Sequence, residues 1–138
     1  MASASYSTLS DIVNMVRIFK IRYFARWMRK TELTNDALLE AVNEMAHGLI
    51  DADLGGGVVK KRIGIAGRGK RSGARTLIAT NKGDRWFFIY GFEKSVKANI
   101  DERELDVLRD LAGDLLGSAD TQLDVLVEDG ALEELLHE

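Results

Sequence analysis

The chain has 138 residues, 46% hydrophobic and 30% charged, the balance of one folded domain and not of a disordered or fibrous chain. It has no Cys and two His, His47 and His137, which excludes disulfides, thiolate nucleophiles and Cys-ligated metal centres and leaves little for a His-based metal site or a Ser–His–Asp triad. The net charge of −3 hides an asymmetry: residues 15–100 hold 17 Lys and Arg against 8 acids, whereas residues 101–138 hold 2 Arg against 13 acids. A basic body points to a polyanionic partner, and an acidic end to a solvating or covering role. No apolar run reaches the roughly 18 residues of a membrane span, and no signal pattern opens the chain, so the expected location is cytoplasmic, away from membranes.

Residues 1–14, with four Ser, read as a weakly ordered leader. Met15 to Lys20 alternates apolar and polar side chains, the period of a strand. Tyr23, Phe24, Trp27 and Met28 form a helical stripe, with Arg22, Arg26, Arg29 and Lys30 on the outer face. Thr34 or Asn35 caps a second helix whose apolar face is Leu38, Ala41, Val42, Met45 and Leu49, ending near Gly48–Asp53. Gly55-Gly56-Gly57 then leads into a strand over Val58–Ile63, a Gly-rich basic loop over Gly64–Gly73, and a strand over Arg75–Thr80. Asn81–Asp84 is a turn. Trp86-Phe87-Phe88-Ile89-Tyr90 has no alternation, which fits a central strand covered on both faces and paired in a hairpin with 74–80. Asp101 and Glu104 have capping-box spacing ahead of a helix with Leu105, Leu108, Ala112 and Leu115 inward. Leu123, Leu126, Val127, Leu132, Leu135 and Leu136 make a last amphipathic segment, broken at Gly130. The order β-α-α-β-β-β-α with a C-terminal helical extension is α+β: a helical hairpin on a mostly antiparallel sheet. The expected divisions are a leader over 1–14, a domain over 15–117 and an acidic extension over 118–138.

Chemistry concentrates in residues 60–75, where Lys60, Lys61, Arg62, Arg68, Lys70, Arg71 and Arg75 are seven cations without an acid. Such a cluster suits several backbone phosphates, with salt-sensitive affinity; a solvated loop is the plainer reading. On paired strands Lys60 and Arg62 share a face, and Arg75 lies across from them. Gly64 to Lys70 has the Gly-x-x-x-x-Gly-Lys spacing of a phosphate loop, but Arg71 stands where a Ser or Thr would hold magnesium and a strand follows, so nucleotide hydrolysis is not expected. His47 with Asp51 and Asp53 is too incomplete for a metal site. Tyr90 and Phe92, at the end of the aromatic strand, are the candidates for rings that stack on bases.

Several separated blocks, in order, resemble the RelE superfamily of bacterial type II toxins: Asp51-Ala52-Asp53-Leu54-Gly55-Gly56-Gly57, Lys60 with Arg62, Lys70 to Ala79, Tyr90-Gly91-Phe92-Glu93-Lys94 and Asn99-Ile100-Asp101. The likeness spans Met15 to Leu116, and Glu128 to Glu133 is similar to extensions in one branch. It implies a microbial-ribonuclease-like fold, cleavage of mRNA on the translating ribosome, and silencing by a cognate antitoxin. By the same resemblance Lys60, Arg62, Arg75 and Lys94 are the catalytic cations. Where some relatives place a Tyr, this chain has Asn99-Ile100.

RNA cleavage by its own 2′-hydroxyl needs that oxygen activated, charge on phosphorus stabilised and the leaving oxygen protonated. Without a metal or cofactor, this chain offers mainly electrostatic stabilisation. Arg75 suits a bidentate phosphate clamp and Lys60 is a candidate base, with Lys61, Arg68, Lys70, Arg71, Tyr90 and Phe92 expected to hold RNA. The alternative is a non-catalytic protein of the same fold that grips RNA or an antitoxin, with Arg75 tied to a carboxylate such as Asp84. Homo-oligomerisation stays open. The acidic end is expected to pack on the body near the basic face, and the competing reading is a lid that mimics RNA.

Overall fold

The computed structural model describes residues 16–65 and 69–136, with residues 69–72 described by backbone alone. The leader, Met15, Arg68, His137 and the side chains of Lys70 and Arg71 lie outside the described residues. The chain runs β1 (Arg17–Ile21), α1 (Arg22–Met28), α2 (Asn35–Ala46), β2 (Ala52–Gly55), β3 (Val58–Ile65), β4 (Gly69–Thr80), β5 (Arg85–Glu93), α3 (Glu102–Leu116), α4 (Asp120–Glu128) and β6 (Leu132–Leu135). The six strands form one sheet in the order β2-β3-β4-β5-β1-β6. Neighbours are antiparallel except β1 and β5, which are parallel. The fold is α+β, as expected.

The sheet has a core on each side. Phe24, Met28, Leu38, Val42 and Met45 of α1 and α2 cover Ile63, Ile78, Trp86 and Phe88 on one face. Leu105, Leu108, Leu115 and Leu123 of α3 and α4 cover Val58, Leu77, Phe87 and Ile89 on the other. This explains the aromatic run: Trp86, Phe87, Phe88 and Ile89 are fully buried, alternately toward each helix layer. The local signals also hold. Thr34 Oγ1 accepts the Ala37 N–H at 3.1 Å at the start of α2, and Asp101 with Glu104 closes a capping box at the start of α3. Between β2 and β3, Gly55, Gly56 and Gly57 have φ of +81°, +62° and +84°, left-handed values that other residues adopt at a cost.

Two strands depart from the sequence expectation. β2 lies where the second helix was expected to end, just ahead of the glycine turn. It pairs with β3 through Ala52↔Lys60 and Asp53↔Val59. The C-terminal extension ends in a strand, not a helix: β6 caps the open edge of β1 with Ile18↔Leu135 and Ile21↔Leu132. The ambiguity is geometrical. Leu132 and Leu135, three apart, share a face on a helix but lie on opposite faces of a strand. Here Leu132 enters the α3–α4 core and Leu135 the α1–α2 core, so a sheet covered on both sides accepts a helix-like spacing.

Charge fixes the same edge. Arg17 makes a two-pronged contact with Glu134, Nε and Nη2 each 2.8 Å from an oxygen, and reaches Asp124 at 2.7 Å and Asp120 at 3.3 Å. Arg85 adds a 3.0 Å contact to Asp120. Part of the acidic end is therefore spent on two arginines of the sheet.

Candidate active site

β3 and β4 gather cations at one end of the sheet. The register sets Arg62 opposite Arg75 and Arg75 opposite Phe92; two residues along, Lys60 faces Leu77 and Leu77 faces Tyr90. Residues directly opposite or two apart share a face. Because Leu77 belongs to the α3–α4 core, Lys60, Arg62 and Arg75 project toward that side, past the N-terminal end of α3. A β-bulge between Leu77 and Ile78 inserts one extra residue into β5. It turns Tyr90 and Phe92 toward the cationic face and leaves Gly91 toward α1, where any Cβ would collide with the Trp27 ring.

The result is an open cleft of about 300 Å³ lined by Asp51, Lys60, Arg62, Arg75, Lys94 and Asn99. It brings together all four cations expected to be catalytic. Arg75, 8% exposed, sits deep, whereas the Arg62 side chain is 48% exposed and sits at the rim. Lys94 is exposed on the turn after β5, Lys60 half-buried on β3. Asp84, at the far end of the β4–β5 hairpin, accepts from Asn81 Nδ2 at 2.6 Å, and the register keeps it away from Arg75.

Asp51 is the carboxylate in this basic lining. Its Oδ2 accepts the Arg62 backbone N–H at 2.7 Å, and its Oδ1 lies 3.2 Å from Arg62 Nε. Its own N–H donates to the Lys60 carbonyl at 3.0 Å. The carboxylate thus continues, with a side chain, the ladder that β2 makes with β3. His47 and Asp53 go elsewhere: His47 Nδ1 is 2.7 Å from the Asn43 carbonyl, and Asp53 receives Lys82 at 2.7 Å.

The wall carrying Lys94 and Asn99 is fastened by the residue between them. Lys97 Nζ lies 2.5 and 2.7 Å from the Glu104 carboxylate and 3.3 Å from the Tyr90 hydroxyl, which donates to Glu104 at 3.1 Å. Bonds from Lys97 and from the Asp101 backbone hold the Glu104 carboxyl down at about 2. The Glu104 hydrogen bond raises the Lys97 ammonium, and partial burial raises the Tyr90 phenol.

Three expected RNA contacts are not offered to the cleft. Lys61 is 4% exposed on the opposite face, its Nζ 2.9 Å from Glu44 and 2.8 Å from the Leu49 carbonyl. Strand alternation sends it to α2 while Lys60 and Arg62 go to the cleft. Phe92 is 5% exposed, too buried to offer a stacking face. The Tyr90 ring lies parallel to Tyr23 at 6.0 Å and lines an apolar groove between α1 and α3, not the cleft. Asp51 and Asn99 had not been singled out for the site. Counting back across the glycine turn from Lys60 to Ala52 is the signal that places Asp51 beside Arg62.

A mostly antiparallel sheet with helices on both faces and a Lys/Arg cleft beyond one helix defines a small α+β protein with one strongly cationic cleft. The chain matches the family described as the RelE toxin of the RelE/RelB toxin–antitoxin system over residues 16–135. It belongs to that family, and is the toxin component of a toxin–antitoxin system. Membership implies an antitoxin partner. No curated protein matches the chain. Among the described residues, no helix is long and apolar enough to cross a membrane.

Proposed function

We propose that this toxin is a metal-independent endoribonuclease that cleaves mRNA on the bacterial ribosome and so stops translation. The observation that carries the reading is the convergence of Lys60, Arg62, Arg75 and Lys94 on one cleft. Four cations against one carboxylate make a strong anion site, and the open mouth admits a chain, not a small molecule. Arg75, on a central strand of the sheet, offers a rigid planar fork to two oxygens of the scissile phosphate. Its grip tightens as charge builds during attack by the 2′-oxygen, which is the interaction that accelerates reaction. Arg62 and Lys94, nearer solvent, hold flanking phosphates and add salt-sensitive affinity. The products are a 2′,3′-cyclic phosphate and a 5′-hydroxyl. Among the described residues, the burial of Lys61 and Phe92 removes two expected contacts with free RNA, which favours a ribosome that presents the strand.

The test is induction of the chain in a bacterium without an antitoxin, with growth and RNA 5′ ends followed. Growth arrest with new 5′-hydroxyl ends inside coding regions is the expected result. Unchanged growth and unchanged RNA ends would assign the cleft to a non-catalytic binder of the same fold.

A further inference from the structure

The cleft as a ribonuclease site still needs a group that takes the 2′-hydroxyl proton. We propose that Asp51 is this general base; the proposal rests on the ribonuclease reading and deepens it. Among the described residues, the charged groups that line the cleft are Lys60 and Arg62 of β3, Arg75 of β4, Lys94 after β5, and Asp51 before β2. An amine ordinarily keeps its proton to about pH 10 and a guanidinium beyond pH 12, whereas a carboxylate is in its proton-accepting form at neutral pH. Of the side chains that meet in this cleft, the Asp51 carboxylate is the one with that chemistry ready.

Its placement fits the task. Two bonds from one residue, the Arg62 backbone N–H at 2.7 Å and Nε at 3.2 Å, fix the orientation of the carboxylate against the sheet. Each oxygen has two lone-pair sites, so both keep an acceptor position after these bonds. The step balances. The O2′–H proton passes to an Asp51 oxygen and O2′ bonds to phosphorus. The P–O5′ bond breaks, and O5′ takes a proton from the ammonium of Lys60 or Lys94. Exchange with solvent then restores both groups. Arg75 holds the non-bridging oxygens throughout.

The experiment uses the whole chain, bacterial ribosomes programmed with a 5′-labelled mRNA, and single-turnover cleavage at neutral pH. Asp51→Asn is nearly isosteric, and its amide oxygen can still accept one of the two Arg62 bonds. It is expected to lower the maximal rate by about 10²–10⁴. Half-saturation should occur at the same or lower enzyme concentration, because a negative charge has left a basic cleft. Asp51→Glu, which keeps a carboxylate, is expected to retain a measurable part of the rate that Asp51→Asn loses. Matching thermal melts exclude loss of fold. A folded Asp51→Asn protein with the wild-type rate, or an Asp51→Glu protein no faster than Asp51→Asn, overturns the assignment and makes Asp51 a structural turn residue. A wild type that binds ribosomes without cleaving mRNA overturns the ribonuclease reading, and the base falls with it.

Discussion

Deleting residues 118–138 removes α4, β6 and most of the acidic end at once. Leu123, Leu132 and Leu135 are at most 3% exposed, and full burial of a leucine stabilises by about 1.5–3 kcal/mol. The three together contribute roughly 5–9 kcal/mol, against about 5–15 kcal/mol for a whole domain. The deletion also bares the β1 edge and strips Arg17 of the carboxylates of Glu134, Asp124 and Asp120. The truncated chain is therefore expected to be unfolded or close to it, and Leu123→Ala alone to cost about 2–5 kcal/mol. Urea titration followed by far-ultraviolet circular dichroism reads both. A truncated protein with the wild-type midpoint and much tighter RNA binding would refute this reasoning and make the extension a lid over the cleft.

Neighbouring lysines should respond differently to removal. Lys60→Ala is expected to weaken ribosome binding and reduce its salt slope by about one while sparing the fold. Lys61→Ala should lower the thermal midpoint by breaking the contacts with Glu44 and Leu49, and leave the salt slope unchanged; equal salt slopes for the two variants would contradict the assignment of faces. Glu104 gives a pH signature. Its carboxyl falls from 4.5 to about 2 in the folded chain, so its stabilising effect is complete above about pH 4.5 and is lost as pH falls toward 2. The stability gap between wild type and Glu104→Gln should accordingly be full at pH 6 and close on acidification; a gap constant down to pH 2 would show that Lys97 and Tyr90 do not hold this carboxylate.

What the sequence made legible was local. The aromatic run from Trp86, a cap at Thr34 or Asn35 and the Asp101–Glu104 box are each determined by residues a few positions apart; the structure buries Trp86 to Ile89, uses Thr34 as the cap and closes the box. Of the two strands not foreseen, β6 depended on partners far away. Leu132 and Leu135 could be assigned only once both faces of the sheet were known to be covered. The site was half legible for the same reason. Charge density marked residues 60–75, yet a count of cations cannot tell Lys60 from Lys61; alternation along β3 does. Phe92 carried the composition of a stacking residue, and its burial beside Tyr90 comes from the bulge in β5, which no local pattern announces. Asp51 came into view only when the turn through Gly55–Gly57 brought it back onto Arg62.

The central claim is that the cleft performs phosphoryl chemistry with Arg75 as its clamp, and single-turnover cleavage of ribosome-bound mRNA by Arg75 variants tests it most directly. Losing one preorganised donor to a developing negative charge costs about 10²–10³ in rate. Arg75→Ala is expected to fall by that factor while remaining folded, and Arg75→Lys to recover little, because a point charge does not reproduce the two-pronged contact. A folded Arg75→Ala protein that cleaves mRNA at the wild-type rate would contradict the account.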